Sequence, residues 1–227
     1  MRKRVYSWLG REFVELSGEA PEGRSAEEET RALLSQFADE LKVHGLSLEN
    51  TVRTRLWARS RTFRVEASKA RGVILTGNAS ASSSSYISAP HFDSKAKAAL
   101  DLLALRPSTA AAERIPVQFE PPRAYLRYLR NDSLIFISGF TSGDGGLKDQ
   151  VPRVLADIDA TLAAAGTSWS RVVRLSAFLS RSQKLETLQT LLSNANRAEV
   201  PQLEFGAVDG FAGETSLLEV EVTAEVV

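Results

Sequence analysis

A serine-rich stretch, residues 78–86, is a first candidate for a chemical role. Its hydroxyl groups, with Ser84 among them, predict either a pocket wall that binds a polar substrate or a flexible loop. Tyr86 ends this stretch and His91 follows it; an imidazole can exchange a proton near neutral pH, although a lone loop histidine is more often only solvated. On the first reading, Ser84, Tyr86 and His91 contact a polar substrate.

The last segment, residues 216–226, carries a second candidate. Apolar and polar residues alternate there, which predicts a β-strand with Glu219 on one face. A carboxylate can orient water at the carbon of an imine, and hydrogen-bond donors must then stabilise the tetrahedral species. Glu219 suits that role, and the alternative is a solvent-facing strand glutamate.

Composition excludes several other kinds of chemistry. The 227 residues contain no cysteine, which rules out disulfides, thiolate-bound zinc, iron–sulfur clusters and cysteine nucleophiles. With only His44 and His91, no histidine-rich metal site is expected. Lys plus Arg and Asp plus Glu both number 28, so no overall charge recruits nucleic acid or an anionic membrane.

Two charged or glycine-rich stretches have simple interpretations. The basic residues 53–71 include two aromatic residues, as RNA-binding surfaces do, but their spread over a strand and a helix predicts a solvated face. Residues 143–146 lack the lysine and the spacing of a phosphate loop and predict a turn. No run approaches the ~18 apolar residues of a membrane span, so we expect a cytoplasmic protein.

An internal repeat organises the chain. Residues 13–18 and 134–139 are both short apolar runs that end in Ser-Gly, and the offset between them is 121 (138 − 17). The same offset, held without a gap over roughly forty residues, aligns Gly45 with Gly166 and keeps apolar positions in step. This register predicts two diverged copies of one unit.

Each copy predicts the same order of elements: a strand that ends at Ser-Gly, an amphipathic helix closed by glycine, a second strand, a second helix and a last strand. The last strand of copy one, residues 97–105, is mostly aliphatic and should be buried on both faces. The predicted fold is α+β, with two tandem units that each place two helices on one face of a β-sheet. The bare face needs cover, which predicts oligomerisation.

We expect copy one to span residues 1–108, a linker and the first strand of copy two to span residues 109–122, and copy two to span residues 123–227. Three segments of copy two, 134–139, 172–178 and 218–222, resemble the reactive-intermediate deaminase family (Rid, or YjgF-like) in order and spacing. Copy one resembles it more weakly.

The resemblance implies chorismate-mutase-like units and a homotrimer, which would be a pseudo-hexamer with sites in clefts between subunits. It also implies hydrolysis of enamines and imines to carbonyl compounds and ammonia without a cofactor or a metal. Some related proteins deaminate 2-aminomuconate-type acids in aromatic degradation. Other relatives are linked to ribonuclease activity, and chorismate-hydrolysing enzymes share the fold.

The resemblance also implies site residues. The family tyrosine, thirteen residues before the serine of the Ser-Gly pair, falls on Tyr125, and the serine falls on Ser138. The family glutamate falls on Glu219 if one residue is inserted in the loop 209–216, and otherwise on Leu218. The expected catalytic residues are therefore Glu219, Ser138 and Tyr125. The expected substrate-binding residues are Gly139, Phe140, Thr141, Arg127, Arg174, Ser84, Tyr86 and His91.

Both copies depart from the family pattern. The carboxylate-binding arginine is replaced by Leu203 in copy two and by Ser84 in copy one, so we expect another arginine to bind an acidic substrate. Copy one also has Ala99 at the glutamate position and Arg4 at the tyrosine position. The two copies should therefore not form two equal sites.

Two main hypotheses follow. The first is a cofactor-independent deaminase of an unsaturated amino acid, with a 2-aminomuconate-like dicarboxylate as the specific substrate. The second is a non-catalytic ligand-binding or regulatory protein that kept the fold and lost the site. An RNA-cleaving protein or a chorismate-type hydrolase is a weaker alternative.

Overall fold

The protein consists of two sheets that are each backed by two α-helices. The structure, a computed structural model, describes residues 1–109, 112–197 and 199–226. The first unit comprises β1 (Arg2–Trp8), β2 (Arg11–Glu19), α1 (Ala26–Val43), β3 (Thr51–Ala58), α2 (Arg61–Ile74), β4 (Ser82–Ile87) and β5 (Ala98–Leu105). The second comprises β6 (Arg114–Val117), β7 (Tyr128–Asn131), β8 (Leu134–Thr141), α3 (Leu147–Ala164), β9 (Val172–Ser180), α4 (Leu185–Asn194), β10 (Gln202–Val208) and β11 (Leu218–Glu225). The prediction of two tandem α+β units is confirmed.

The two sheets share one topology over five strands, and the second sheet has one additional edge strand, β6. Their strand orders are β1-β2-β5-β3-β4 and, read from the corresponding edge, β6-β7-β8-β11-β9-β10. In each unit the only parallel pair among the described strands, β3 with β4 and β9 with β10, is joined by a crossover helix. β5 and β11 thus occupy equivalent central positions, which brings the last strand of each unit into the middle of its sheet.

Glycine closes the long helix of each unit. α1 ends just before Gly45 and α3 just before Gly166, and these glycines have φ angles of 67° and 74°. Glycine adopts this left-handed conformation without the steric cost that a Cβ would bring. The aligned glycines of the repeat therefore end both helices, as predicted.

The bare faces of the two sheets pack against each other. One apolar cluster joins Phe13 and Leu103 of the first unit to Leu129 and Phe136 of the second. A second cluster joins Trp57, Tyr86, Phe178 and Phe211. This contact buries β5 along nearly its whole length, as predicted, because helices cover one face and the second unit covers the other. The homotrimer stays a prediction, which a mass measurement in solution would check.

A buried cluster of charges also crosses the seam. Arg55 Nε donates to both carboxylate oxygens of Glu221, at 3.2 and 3.0 Å, and its terminal nitrogens donate to Glu204, at 3.2 and 3.0 Å. The Ser176 hydroxyl accepts a further bond from Arg55 at 2.8 Å. Arg55 and Glu221 lie away from water, whereas the Glu204 side chain is 38% exposed, so the removal of Arg55 or Glu221 should cost far more than the loss of a surface ion pair.

The predicted linker contains the first strand of the second sheet, since β6 pairs with β7. Residues 110 and 111 of that linker, and residues 198 and 227 of the predicted second unit, lie outside the described residues. Within the described ranges, no helix combines the length and the apolar character needed to cross a membrane.

Candidate active site

A cavity of about 420 Å³ lies at the seam between the units. The first unit supplies α2 and β4 as walls, and the second supplies β8, β11 and the segment before β7. The side chains that matter most for chemistry are Arg64, Arg71, Ser85, Tyr125, Thr141 and Glu219. The cavity is therefore built from both copies of the repeat.

The Glu219 carboxyl group lines this cavity with only 4% of the residue exposed. β11 holds it between two neighbouring strands, opposite Thr141 of β8 and Phe178 of β9. The carboxyl group lies over the Cα of Gly139. A Cβ at that position would overlap the carboxyl group and come within 2.8 Å of Glu219 Cγ. The absence of a side chain at Gly139 therefore leaves the space that the Glu219 carboxyl group occupies.

Burial decides the protonation state of Glu219. Burial first, and then the negative charge of Glu221, raise the pKa of Glu219 to about 8. Arg71, a hydrogen bond from the Ser85 backbone N–H, and Arg64 oppose this rise. The carboxyl group is therefore mostly protonated at neutral pH and can act as a proton donor.

The contact between Gly139 and Glu219 gives a first prediction. We expect Gly139→Ala to lower any Glu219-dependent activity by about 100-fold, the lower end of the range for a lost acid–base group, because the methyl group displaces the carboxyl group. Circular dichroism should remain unchanged. The matched control is Gly18→Ala at the equivalent position of copy one, where the nearest obstacle is the Cα of terminal Met1, at 3.1 Å. Full activity in Gly139→Ala would contradict the proposed position of the carboxyl group.

Arg71 brings a buried cation into the same cavity. Its Nη1 donates to the Ser84 carbonyl oxygen at 2.7 Å and to Thr54 Oγ1 at 3.4 Å, and its Nη2 donates to Ser85 Oγ at 2.9 Å. Burial lowers the pKa of Arg71 to about 10, so the group stays cationic at neutral pH. In the part of the chain that the structure describes, Arg71 forms no ion pair with a carboxylate.

A second arginine lies on the same face of α2. Arg64, Ser68, Arg71 and Leu75 follow i, i+4, i+7 and i+11 spacing, which places them in one stripe along the cavity. Among the described residues, Arg64 Nε is buried without a hydrogen-bond partner. Two cations beside a protonated carboxyl group leave the cavity with positive charge, which favours an anionic ligand.

The serine-rich stretch forms the edge strand β4 rather than a flexible loop. The Ser83 backbone N–H donates to Ser138 Oγ at 3.0 Å, and this bond ties β4 to β8 of the second unit. Ser84 lines the cavity, and its hydroxyl group donates to Glu221. Ser85 accepts from Arg71, as described above. Small side chains at these positions let β4 approach the second unit closely.

Several predicted residues meet at the cavity. Glu219, Tyr125, Gly139, Thr141 and Ser84 line it, and Ser138 lies directly behind Ser83. The Tyr125 hydroxyl group accepts a hydrogen bond from Arg123 Nη1 at 3.2 Å in the outer wall.

Two predicted residues point to the opposite face of the second sheet. Phe140 packs in the core under α3, because side chains alternate along β8 and only Gly139 and Thr141 face the cavity. Arg127 Nε donates to Thr161 Oγ1 of α3 at 2.9 Å. Sequence proximity to Tyr125 was therefore a poor guide to the direction of the Arg127 side chain.

Three other predicted residues lie at the unit seam, away from the cavity. Arg174 pairs with Glu204 at 2.8 Å. Tyr86 is fully buried, and its hydroxyl group donates to Glu221 at 2.7 Å. His91 stacks on Trp57, with 4.1 Å between ring centroids. These residues do not line the cavity, because each side chain is held by another partner: Glu204, Glu221 and Trp57, respectively.

The basic stretch 53–71 is only in part the solvated face that its sequence predicts, since Lys69 is exposed but three arginines are buried. Arg53, Arg55 and Arg71 are each at least 93% buried, and Arg71 faces the cavity. The charge composition of this stretch does not reveal which of its arginines are buried. The spacing of Arg64, Ser68 and Arg71 was the signal that could have revealed a polar stripe on one face of α2.

The arrangement can bind an anion and give it a proton. Arg71 and Arg64 attract a carboxylate, Glu219 supplies the proton, and the hydroxyl groups of Ser85 and Thr141 can bond polar atoms. Among the described residues, no group of histidine, aspartate and glutamate side chains is placed to hold a metal ion.

Comparison with known proteins finds a family model that matches the second unit and a solved structure that shares the fold of both units. Residues 116–226 match the family model described as Endoribonuclease L-PSP. No curated protein matches the sequence. A solved chorismatase structure matches 97% of this chain and 78% of its own, with 14% identity and a TM-score of 0.64. The chorismatase therefore shares the fold of both units.

Single-unit proteins match half of the chain. A YjgF/YER057c/UK114 family member from Mycobacterium tuberculosis covers 50% of this chain and 100% of its own, with 22% identity and a TM-score of 0.43. A Rid-family protein from Yersinia pestis also covers 50% of this chain and 100% of its own, with 19% identity and a TM-score of 0.44.

Proposed function

We propose that this chain, whose second unit belongs to the Endoribonuclease L-PSP family of YjgF or Rid proteins, hydrolyses a small unsaturated acid without a cofactor. The reaction that suits the site best is deamination of an enamine or imine. One observation carries the proposal: the protonated carboxyl group of Glu219 faces a cavity into which Arg71 brings a buried positive charge. Such a reaction requires an acid beside an anion site.

The Glu219 proton begins the reaction. Glu219 gives it to the β-carbon of the enamine, and the nitrogen lone pair moves into a C=N bond to form an iminium ion. The Glu219 carboxylate then accepts a proton from water as the water oxygen bonds to the iminium carbon. Glu219 returns that proton to nitrogen, ammonia leaves, and the hydroxyl proton goes back to Glu219 as the carbonyl group forms. The sum is enamine plus water to carbonyl compound plus ammonia.

A 2-aminomuconate-like dicarboxylate is our specific proposal for the substrate. Arg64 and Arg71 form a paired positive wall from the first unit, and Arg123 adds a third cation in the outer wall of the second. A substrate with two carboxylates would neutralise more of this charge than one with a single carboxylate.

Ammonia release tests this function. The purified chain is mixed with freshly generated 2-aminomuconate or 2-aminoacrylate, and ammonia is measured against buffer alone. We expect faster release with protein, and kcat/KM should fall as pH rises through about 8 because Glu219 must carry a proton. A release rate equal to that of buffer with both substrates would refute the deaminase proposal.

Arg71 gives a prediction about binding. We expect Arg71→Gln to raise KM by about 10- to 100-fold, which corresponds to the loss of a charge-assisted hydrogen bond, with a smaller effect on kcat. The matched control is Lys69→Gln, which removes an exposed charge from the same helix. An unchanged KM in a folded Arg71→Gln protein would mean that another cation binds the substrate.

The chorismatase fold supports a second candidate, the hydrolysis of an enol ether. Protonation of the C=C carbon by Glu219 gives an oxocarbenium ion, water adds to it, and an alcohol leaves in place of ammonia. The two-unit fold shared with the chorismatase favours this candidate. Chorismate is the probe, and release of pyruvate without ammonia would favour the enol-ether reaction over deamination.

A further inference from the structure

Glu221 is a second buried carboxyl group that the proposed mechanism does not use. It lies two residues after Glu219 on β11, so both side chains leave the sheet on the same face, about 6.6 Å apart along the strand. Both groups face the first unit. Their environments differ, because Glu219 lines the cavity and Glu221 lies in the charge cluster at the seam.

The first unit surrounds Glu221 with donors. Arg55 Nε bonds both carboxylate oxygens, Tyr86 Oη donates at 2.7 Å, and the Ser84 hydroxyl group donates as well. Arg53 Nη1 lies 3.9 Å from the carboxylate. Arg55 and Arg53 lower the pKa of Glu221 and overcome the opposing effect of burial, so the group stays ionised.

Among the residues that the structure describes, Glu219 has no comparable set of partners. The charged or titratable groups that act on it are Glu221 from its own strand, and Arg71, Arg64 and Tyr86 from α2 and β4. A second negative charge on β11 would have to form close to the ionised Glu221. A pair of neighbouring carboxyl groups held in opposite states is a recurrent arrangement for an acid catalyst.

We propose that Glu221 is a positioning residue, whose fixed negative charge, held by Arg55, Tyr86 and Ser84 of the first unit, keeps the proton on Glu219. The first unit then does more than complete a cavity wall. By holding the charge of Glu221, it adds to the effect of burial on the protonation state of the acid in the second unit. This inference rests on the proposed role of Glu219 as a proton donor, but it can be tested without any substrate.

The test is a direct titration of Glu219. Infrared spectra of the full chain between pH 5 and 10 follow the carbonyl band of the protonated carboxyl group, and the spectra of Glu219→Gln identify that band by subtraction. We expect Glu221→Gln to move the Glu219 midpoint down by about one pH unit, because the neighbouring negative charge is gone. Where activity is measurable, the alkaline limb of its pH profile should move by the same amount.

Glu204→Gln is the matched control. It removes the other carboxylate partner of Arg55, but Glu204 is not one of the main influences on the pKa of Glu219, which are burial, Glu221, Arg71, Ser85 and Arg64. The Glu219 midpoint should therefore stay where it is in wild type. If Glu221→Gln does not fold, Arg55→Gln/Glu221→Gln, which leaves no unpaired buried charge in this pair, is titrated with the same expectation.

An unchanged midpoint in the Glu221 variant, or equal shifts in the Glu221 and Glu204 variants, would overturn the inference. A shift of the midpoint in a protein that releases neither ammonia nor pyruvate would support the inference and refute the proposed function. The two failures are therefore distinguishable.

Discussion

Replacing Glu219 by glutamine is expected to lower kcat/KM by about a thousandfold, within the range for removal of a general acid. The amide keeps the shape of the side chain but cannot release a proton to carbon, so kcat should fall while KM changes little. Initial rates of ammonia or pyruvate release measure the effect. The control is Glu225→Gln at the end of the same strand, which should remain active. If Glu219→Gln retained wild-type activity, Glu219 could not be the acid.

The same substitution should stabilise the protein at alkaline pH. The folded-state pKa of Glu219 is raised from 4.5 to about 8. A group with a raised pKa contributes stability that is complete below its unfolded value and is lost as pH rises through its folded value. Glutamine does not titrate, so wild type should lose stability relative to Glu219→Gln between about pH 5 and 9. Urea unfolding at pH 5.5 and 9 measures the free energy of unfolding of both proteins. The same difference between wild type and Glu219→Gln at the two pH values would contradict the prediction.

Arg55→Met should give the largest loss of stability. The substitution leaves Glu221 buried without its main cation and breaks the cluster between the units, which costs about 3–5 kcal/mol for a buried ion pair. The free energy of unfolding in urea measures this effect, and loss of the seam should also expose the apolar clusters to a hydrophobic dye.

A surface ion pair provides the comparison for Arg55. Arg31 pairs with Glu27 on α1, where each side chain is 44% exposed, so Arg31→Met should cost less than about 1 kcal/mol. Equal costs for the two substitutions would mean that the charges at the seam contribute no more than surface charges.

The repeat predicted much of the fold because its matching residues are set by local backbone conformation and by strand pairing within each unit. Gly45 and Gly166 had to follow helices, since only glycine adopts their backbone conformation cheaply. The same register places Trp57 opposite Ala99 and Phe178 opposite Glu219, so Ala99 does occupy the place of Glu219 in copy one.

Two other positional predictions were wrong. Arg4 pairs in its sheet as Leu129 does, not at the place of Tyr125, because the first hairpin of copy one is longer. Ser83, and not Ser84, occupies the place of Leu203.

The contacts between the two units could not be predicted from the sequence. Arg71 was counted with a basic stretch, and only the docking of the second unit against α2 and β4 turns it into a buried cation. Serine is not among the β-branched and aromatic residues that favour strands, so the sequence of residues 82–85 predicted a pocket wall or a flexible loop and not the strand β4. Their strand conformation depends on neighbours that lie far away in the sequence, such as Ser138.

The cavity is divided between α2 and β4 of copy one and β8 and β11 of copy two. This division has a consequence for the loss of either copy and for the number of binding sites per chain. Deletion of either copy would remove one wall of the cavity, because Arg71 comes from copy one and Glu219 from copy two. Each polypeptide closes its own cavity from these unlike halves. A tight inhibitor should therefore titrate one equivalent per chain, whatever number of chains assemble.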